Sequence, residues 1–591
     1  MSKKAKKVIT EWDLTPFYKS PKDKQIENDI KDAEKVIDAF VHKYQNVDLN
    51  NSSILKQSLE DYFAIKECRL SDAYLYLNKL IDLDSRKEYL QAKANLLLQK
   101  IQNISNKVIF YEVKLSKIPP DLQKKFLNDS SLNSYKYYLE VIFKNSRYVL
   151  SEKEEKILNL KYLTSHKLWT DFTENLYSKA EVKHKGKNIP VSKALKLISS
   201  IKTQKERYEL YSKVVHVNES LSQIAEKELN AIILDKKIND ELRGFVEPVD
   251  ATLIGNEDDK NTVFTLRDVL TSNYNLVHRF YKVKRKMLGL KKLLYSDRFA
   301  NVGKFNKKIK FDEALSIFDN VLGTIDPVFQ NILKQYASSG QFDVFPKTGK
   351  RGGAYCSSSY NNPTYILLNH VDDIDSVYTL AHEMGHALHS EFSKSQPVYY
   401  QGYTTSTAEV ASTLFETFMF NELYSKMSEK EKVIALHDKI SDSISTIFTQ
   451  IMLFNFEIEL HEQIRQKGSL SNVEIAELMM KHIKALYGSE FKYESKIGYS
   501  YVGWAHIRYF FYTYTYSMGL LISKSLYHKY SEDKSYIEQI KKFMSAGGSM
   551  SPYDIFKNIG IDISKKDFWM SGIKSIEKDI IELEKLVNKK K

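Results

Sequence analysis

Helix breakers are scarce in this chain: 11 prolines and 21 glycines are spread over 591 residues. So little punctuation favours long helices, and the apolar pattern agrees. Through residues 28–178 apolar side chains recur at three- and four-residue spacing, as at Leu90, Ala94, Leu97, Ile101 and Ile104, the period of one helix face. Pro119-Pro120 and the polar run at 128–133 divide this region into helical hairpins. Residues 180–190 turn polar and carry Gly186, which suggests a subdomain boundary. Helical periodicity resumes near Ser192, lasts to about Leu288, and returns at 430–482 ahead of an aromatic-rich stretch at 499–516. Residues 342–369 read otherwise: Pro346, three glycines and alternating aromatics lead into Tyr365-Ile-Leu-Leu368, predicting short strands joined by turns. The expectation is a mainly α protein with one small sheet, too long for a single ordinary core.

Composition narrows the function classes. At 42% hydrophobic and 28% charged the chain is an ordinary globular one. Its two cysteines, Cys68 and Cys356, exclude a disulfide framework and fit a reducing compartment. The basic start is followed at once by Thr10, Glu11 and Trp12 rather than by an apolar run, so no signal peptide is expected. No run of about 18 apolar residues predicts a membrane span. A cytoplasmic enzyme without membrane partners is the simplest expectation. The net charge of +13 is spread, with Lys alternating with Asp and Glu. Its densest runs, 3–7 and 589–591, lie at the termini, so a nucleic-acid partner is not expected.

Chemistry concentrates at His382-Glu-Met-Gly-His386. On a helix, residues four apart project from nearly one face, so two imidazoles can converge on one ion while Glu383 reaches a metal-bound water. Val377, Leu380, Ala381, Met384 and Leu388 form the apolar stripe of such a helix, and Asp373, Asp375 and Ser376 can cap its start. A catalytic zinc takes a third protein ligand, and Glu409 in Ala408-Glu-Val-Ala-Ser412 is the next acid in a helical setting. Ser406-Thr-Ala-Glu409 is equally a capping box, so the residues alone leave Glu409 open. Glu416, on the same helical face, can accept an imidazole N–H or be a solvated acid. His389 lies about 10 Å along the axis from His382, too far to ligate the same ion, and suits local packing.

The stretch from Thr379 to His389, followed by Ala408-Glu-Val-Ala-Ser412, resembles the thimet oligopeptidase family of zinc peptidases, and within it the oligoendopeptidase F group. Glu11-Trp-Asp-Leu14, Lys350-Arg-Gly-Gly-Ala-Tyr355, Ile366-Leu-Leu-Asn369 and the segment from Phe543 through Trp569 carry the likeness over nearly the whole chain. The resemblance implies a zincin-like helical clamshell around a deep channel, with the small sheet beside the metal helix. The corresponding division is an N-terminal helical domain, 1–185, and a catalytic domain, 186–591. It implies one Zn2+ per chain on His382, His386 and Glu409, with Glu416 behind a ligand histidine and Glu383 as general base on a zinc-bound water. An edge strand of residues 352–358 would pair with substrate backbone, giving Gly352, Gly353, Ala354 and Tyr355 as substrate contacts. His506, Tyr509 and Tyr512 would act at the scissile bond; Arg508 departs from the family's usual His or Pro near that position. The implied activity is hydrolysis of internal bonds of short peptides. A metallocarboxypeptidase on a related helical fold and a non-catalytic helical peptide-binding protein are the alternatives, and oligomeric state is open.

Overall fold

The computed structural model describes residues 8–305 and 307–589, so the basic runs at 3–7 and 590–591 lie outside the described residues. Helices dominate, joined by short turns and three small sheets among the described residues. The fold is mainly α. No described helix is long and apolar enough to cross a membrane.

The chain folds into two compact units, each discontinuous in sequence. One comprises residues 1–152, 307–423 and 526–559; the other comprises 153–306, 424–525 and 560–591. The boundary expected at 185/186 falls inside the second unit, within an antiparallel hairpin that pairs Glu181–His184 with Lys187–Pro190. Lys185 and Gly186, with φ of +49° and +81°, make its two-residue turn. Positive φ at both central positions is what a tight hairpin demands, so the polar glycine-bearing segment is a strand pair and not a linker. Val182, 4% exposed, anchors it.

In the first unit the N-terminal helices Gln25–Tyr44, Ser52–Glu67, Asp72–Leu83 and Glu88–Ser105 bury the predicted stripe. Leu90, Ala94, Leu97, Ile101 and Ile104 share a core with Ile30, Ile37, Tyr76 and Leu77. Pro120 opens the helix Pro120–Leu127 at a position where its missing N–H has no partner to lose.

The same core reaches Tyr365, the start of the central strand of a three-stranded sheet. Phe342–Asp343 runs parallel to Tyr365–Leu367, and Tyr355–Ser357 runs antiparallel on its other side, with Cys356 opposite Ile366. The opening segment straps this sheet. Trp12 Nε1 donates to the Ile366 carbonyl at 2.9 Å, Tyr365 Oη donates to the Asp13 carbonyl at 2.7 Å, and Val344 N donates to the Thr10 carbonyl at 3.0 Å.

The Ala546-Gly-Gly-Ser549 segment grips a loop of this unit from another direction. Gly548 N donates to the Tyr400 carbonyl at 2.8 Å, and a Cβ on Gly547, whose φ is +53°, would stand 2.1 Å from that same oxygen. Gly547→Ala must therefore shift the loop that leads into residues 405–425, besides holding Ala in a left-handed conformation that costs about 1–2 kcal/mol. The expected result is a loss of at least about 2 kcal/mol on denaturant unfolding; unchanged stability would show that the contact is not made.

Candidate metal centre

The motif lies on the helix Ile374–Ser393. Its start is over-determined: Asp373 Oδ1 accepts from Ser376 N at 2.9 Å and from Ser376 Oγ at 2.7 Å. Val377, Leu380, Ala381, Met384 and Leu388 are each 0% exposed, so the predicted stripe faces the core and fixes the helix rotation. His382 and His386 then emerge together on a half-buried face.

The partner helix is Thr405–Ser425. It begins two residues earlier than a Ser406 cap requires, because Thr407 N and Ala408 N both donate to the Thr404 carbonyl at 3.1 Å. Ser406 is thus a buried residue of the helix and Glu409 lies beyond its first turn, which removes the capping-box geometry. Glu409 Oε2 instead stands 3.5 Å from His382 Nε2 and 3.6 Å from His386 Nε2. Among the described residues these three form the one group of His, Cys, Asp and Glu whose ligand atoms all lie within 4.8 Å of one another.

The surroundings aim each donor. His382 Nδ1 donates to Glu416 Oε2 at 3.1 Å, leaving Nε2 free to ligate. The His386 ring is hydrogen-bonded to the Ala408 backbone. Ser412 Oγ donates to Glu409 Oε2 at 2.9 Å. Two imidazoles and a carboxylate, each oriented from behind, form a donor set that suits a divalent ion of the zinc type.

Charge at the site is unbalanced without a cation. Burial disfavours protonated His382, but the hydrogen bond and charge of Glu416, with Glu383 and Glu409, outweigh it and hold the imidazolium to about 9. Burial dominates at His386 and lowers it to about 4, against the Glu409 charge. Glu383, 7% exposed, is pushed up to about 7 by burial, drawn back by His382 and raised again by Glu409. Its carboxylate also takes a hydrogen bond from the Cys356 backbone. The general-base candidate is thereby held against the middle of the edge strand.

That strand is shorter than expected. Of the four residues predicted to contact substrate, Tyr355 alone lies in Tyr355–Ser357, while Gly352, Gly353 and Ala354 form the approach to it. The glycines face open space, with nothing within 4 Å of an added Cβ. Asn369 Nδ2 holds this approach by donating to the Arg351 and Gly353 carbonyls at 2.9 and 2.7 Å. Tyr355 Oη donates to Asp82 at 2.6 Å, and the buried Lys79 ammonium donates to Ser357 Oγ at 2.9 Å. Cys356 is half-buried, and desolvation followed by the Glu383 charge raises its thiol above the ordinary range. His389, 1% exposed, stacks on Tyr403 with ring centroids 3.8 Å apart, a packing role.

His506, Tyr509 and Tyr512 belong to the second unit. There His506 Nδ1 and the Tyr512 hydroxyl form a short hydrogen bond. Tyr509, half exposed, instead donates to Glu174 at 3.1 Å. The three residues are therefore not equivalent: two form a pair and the third points to a different partner.

Comparison with known proteins decides the lineage. Residues 197–575 match the model of peptidase family M3, and residues 114–181 match that of Oligopeptidase F. The chain belongs to peptidase family M3. It is 26% identical to an oligoendopeptidase F homolog of Lactococcus lactis subsp. lactis, covering 98% of this chain and 97% of that one. It is 27% identical to an oligoendopeptidase F homolog of Borreliella burgdorferi, with 89% and 90% covered. The crystal structure of oligoendopeptidase-F from Enterococcus faecium shares the fold, with a TM-score of 0.72 at 18% identity over 96% of this chain and 98% of that one. As an M3 member this protein is a metallopeptidase, a hydrolase of peptide bonds.

Two residues beside the cluster, Gly385 and Ser412, were not singled out by the sequence pattern. A Cβ on Gly385 would lie 2.6 Å from Ser412 Cα and 2.8 Å from the Ala411 carbonyl, so glycine lets the two ligand helices touch backbone to backbone. Glycine inside a helix costs roughly 1 kcal/mol relative to alanine and needs a packing reason; the small residues Ala408, Ala411 and Ser412 opposite were the matching signal. Ser412 itself was passed over as motif filler. Gly385→Ala should part the helices, with an overpacking cost of about 1–3 kcal/mol, and pull Glu409 off the histidines. The expected outcome is lower metal content after dialysis at a temperature where circular dichroism shows the variant folded. Full metal retention would refute the close-approach account.

Proposed function

We propose that this protein is a zinc-dependent oligoendopeptidase that cuts internal bonds of short peptides. The observation that carries the reading is the convergence of His382, His386 and Glu409 beside a buried Glu383 that is hydrogen-bonded to an edge strand. When bound by those three ligands, zinc supplies a Lewis acid that acidifies water and polarises the scissile carbonyl.

The remaining steps belong to the chain's own residues. A substrate backbone adds to the outer edge of Tyr355–Ser357, strand against strand, while Gly352 and Gly353 leave room for its approach. Because Glu383 is hydrogen-bonded to the backbone of that strand, the docked peptide and the base are registered to each other. Glu383 takes a proton from the attacking water and delivers it to the leaving amine nitrogen as the C–N bond breaks. His506 and the Tyr512 hydroxyl are assigned as donors to the developing oxyanion, an effect worth about 3 kcal/mol per donor. Tyr509, bonded to Glu174, stands outside that pair and is given no step. Glu416 keeps His382 in its ligating tautomer.

Glu383→Gln is expected to keep one zinc per chain and to lower kcat by about a hundredfold to ten-thousandfold. The assay is cleavage of an internally quenched peptide of about ten residues with both ends blocked, a length and blocking that an exopeptidase cannot use. A chelator should abolish the cleavage and added zinc restore it. Cleavage confined to peptides with a free end would return the protein to the carboxypeptidase reading.

The base also sets a pH dependence. Glu383 must be ionised to act, so activity falls as pH drops through its pKa in the site. Burial places that value at about 7 without a cation, and a bound divalent ion moves it down. The acidic limb of kcat/KM should therefore lie no higher than about 7. It should vanish with the residual activity of Glu383→Gln, and a limb unchanged in that variant would belong to another group.

A further inference from the structure

The candidate oxyanion pair flanks a loop whose backbone an isolated segment would not choose. Phe510 and Phe511 have φ of +58° and +57°, the left-handed region that bulky residues avoid. Two such residues in succession persist only where their surroundings over-determine them.

Those surroundings are buried and polar. Arg508, 1% exposed, makes a bidentate pair with Glu228, 0% exposed, at 2.7 and 2.9 Å. The same guanidinium donates to the Trp504 and Val502 carbonyls at 3.0 and 3.3 Å, just ahead of His506. On the far side, the Arg508 carbonyl meets His166 Nε2 at 2.8 Å, and Thr252 Oγ1 donates to the Phe510 carbonyl at 3.1 Å. The Phe511 amide donates to buried Glu457 at 3.0 Å. Glu228 stands on the 40-residue helix Gln204–Arg243, a rigid base for the whole arrangement.

We propose that the Glu228–Arg508 pair is a positioning element for catalysis, fixing the 502–511 loop so that His506 and Tyr512 stay paired. The proposal rests on the reading of those two residues as oxyanion donors. Arginine is the residue for the task because its planar fork binds one carboxylate in two places and still has donors for two carbonyls. An apolar side chain would fill the space but leave the Val502 and Trp504 carbonyls untied, and the loop could slide. Lysine keeps the charge and loses the fork.

The test is a double-mutant cycle on the full zinc-loaded chain, assayed with the blocked quenched peptide. Arg508→Lys is expected to lower kcat about tenfold, as a small misplacement of reacting groups does, with KM changed less than about twofold. In a His506→Gln background the same substitution should change kcat by less than about twofold, because the His506–Tyr512 pairing that the loop preserves is already gone. Thr252→Val, nearly isosteric and so able to fold if Arg508→Lys does not, should lower kcat about threefold and again only when His506 is present. Equal losses in both backgrounds, or an unchanged kcat in Arg508→Lys and Thr252→Val, would overturn the positioning role. A His506→Gln enzyme with full kcat would overturn the donor reading itself, and the positioning role with it.

Discussion

Backbone contact between two helices is the constraint on which the metal centre depends. Where Gly385 meets Ala411 and Ser412, the facing backbone stands where a Cβ would be, 2.6 Å from Ser412 Cα. In that arrangement the Glu409 carboxylate reaches both imidazoles of the facing helix. The apolar stripe fixes how the motif helix is rotated, and the glycine fixes how near its neighbour comes. Neither is a ligand, yet both are conditions for having three ligands at one point.

Once the helices are in place, electrostatics follow. Glu383, Glu409 and Glu416 crowd around two half-buried imidazoles, an arrangement that repels itself unless a positive charge stands among them. In the protein alone that charge is a proton on His382, which is why its pKa rises while that of His386, one turn away and without a carboxylate of its own behind it, falls. A divalent ion replaces the proton with a larger charge. The site is thus a cation site by its charge balance as well as by its geometry, and binding is coupled to proton release.

Much of this was legible in the sequence, for identifiable reasons. The motif helix was readable because periodicity, a capping Asp373 and an i, i+4 histidine pair all agree within twenty residues. The N-terminal helices were readable from spacing alone. What failed was what depends on partners far away in sequence. The residues alone left Glu409 open between cap and ligand because the local pattern Ser-x-x-Glu is a complete capping box; the Thr404 carbonyl starts the helix earlier, which removes that box. Residues 180–190 read as a subdomain boundary because they turn polar and carry Gly186, whereas Lys185-Gly186 is a hairpin turn. Gly352–Ala354 looked like strand because they adjoin one, but pairing begins only at Tyr355, where Leu367 stands opposite.

The division of the chain has a consequence for how the centre is held. His382, Glu383, His386, Glu409 and the strand Tyr355–Ser357 lie in a unit assembled from three separate stretches, and the first of these supplies none of them. Its contribution is support: Trp12 and Asp13 bond the central strand, Lys79 bonds Ser357, and Asp82 bonds Tyr355. Burying the Lys79 amine lowers its pKa to about 8, a cost that a purely structural core would avoid by using an apolar residue. The ammonium instead lies against the aromatic rings of Trp12 and Tyr365, 5.5 and 5.2 Å from their centroids, where cation–π attraction offsets part of that cost. Its hydrogen bond to Ser357 fixes the end of the edge strand. A strand so short has few ladder bonds of its own, so its position is set by these side chains. The N-terminal segment and helices therefore hold the strand to whose backbone Glu383 is hydrogen-bonded.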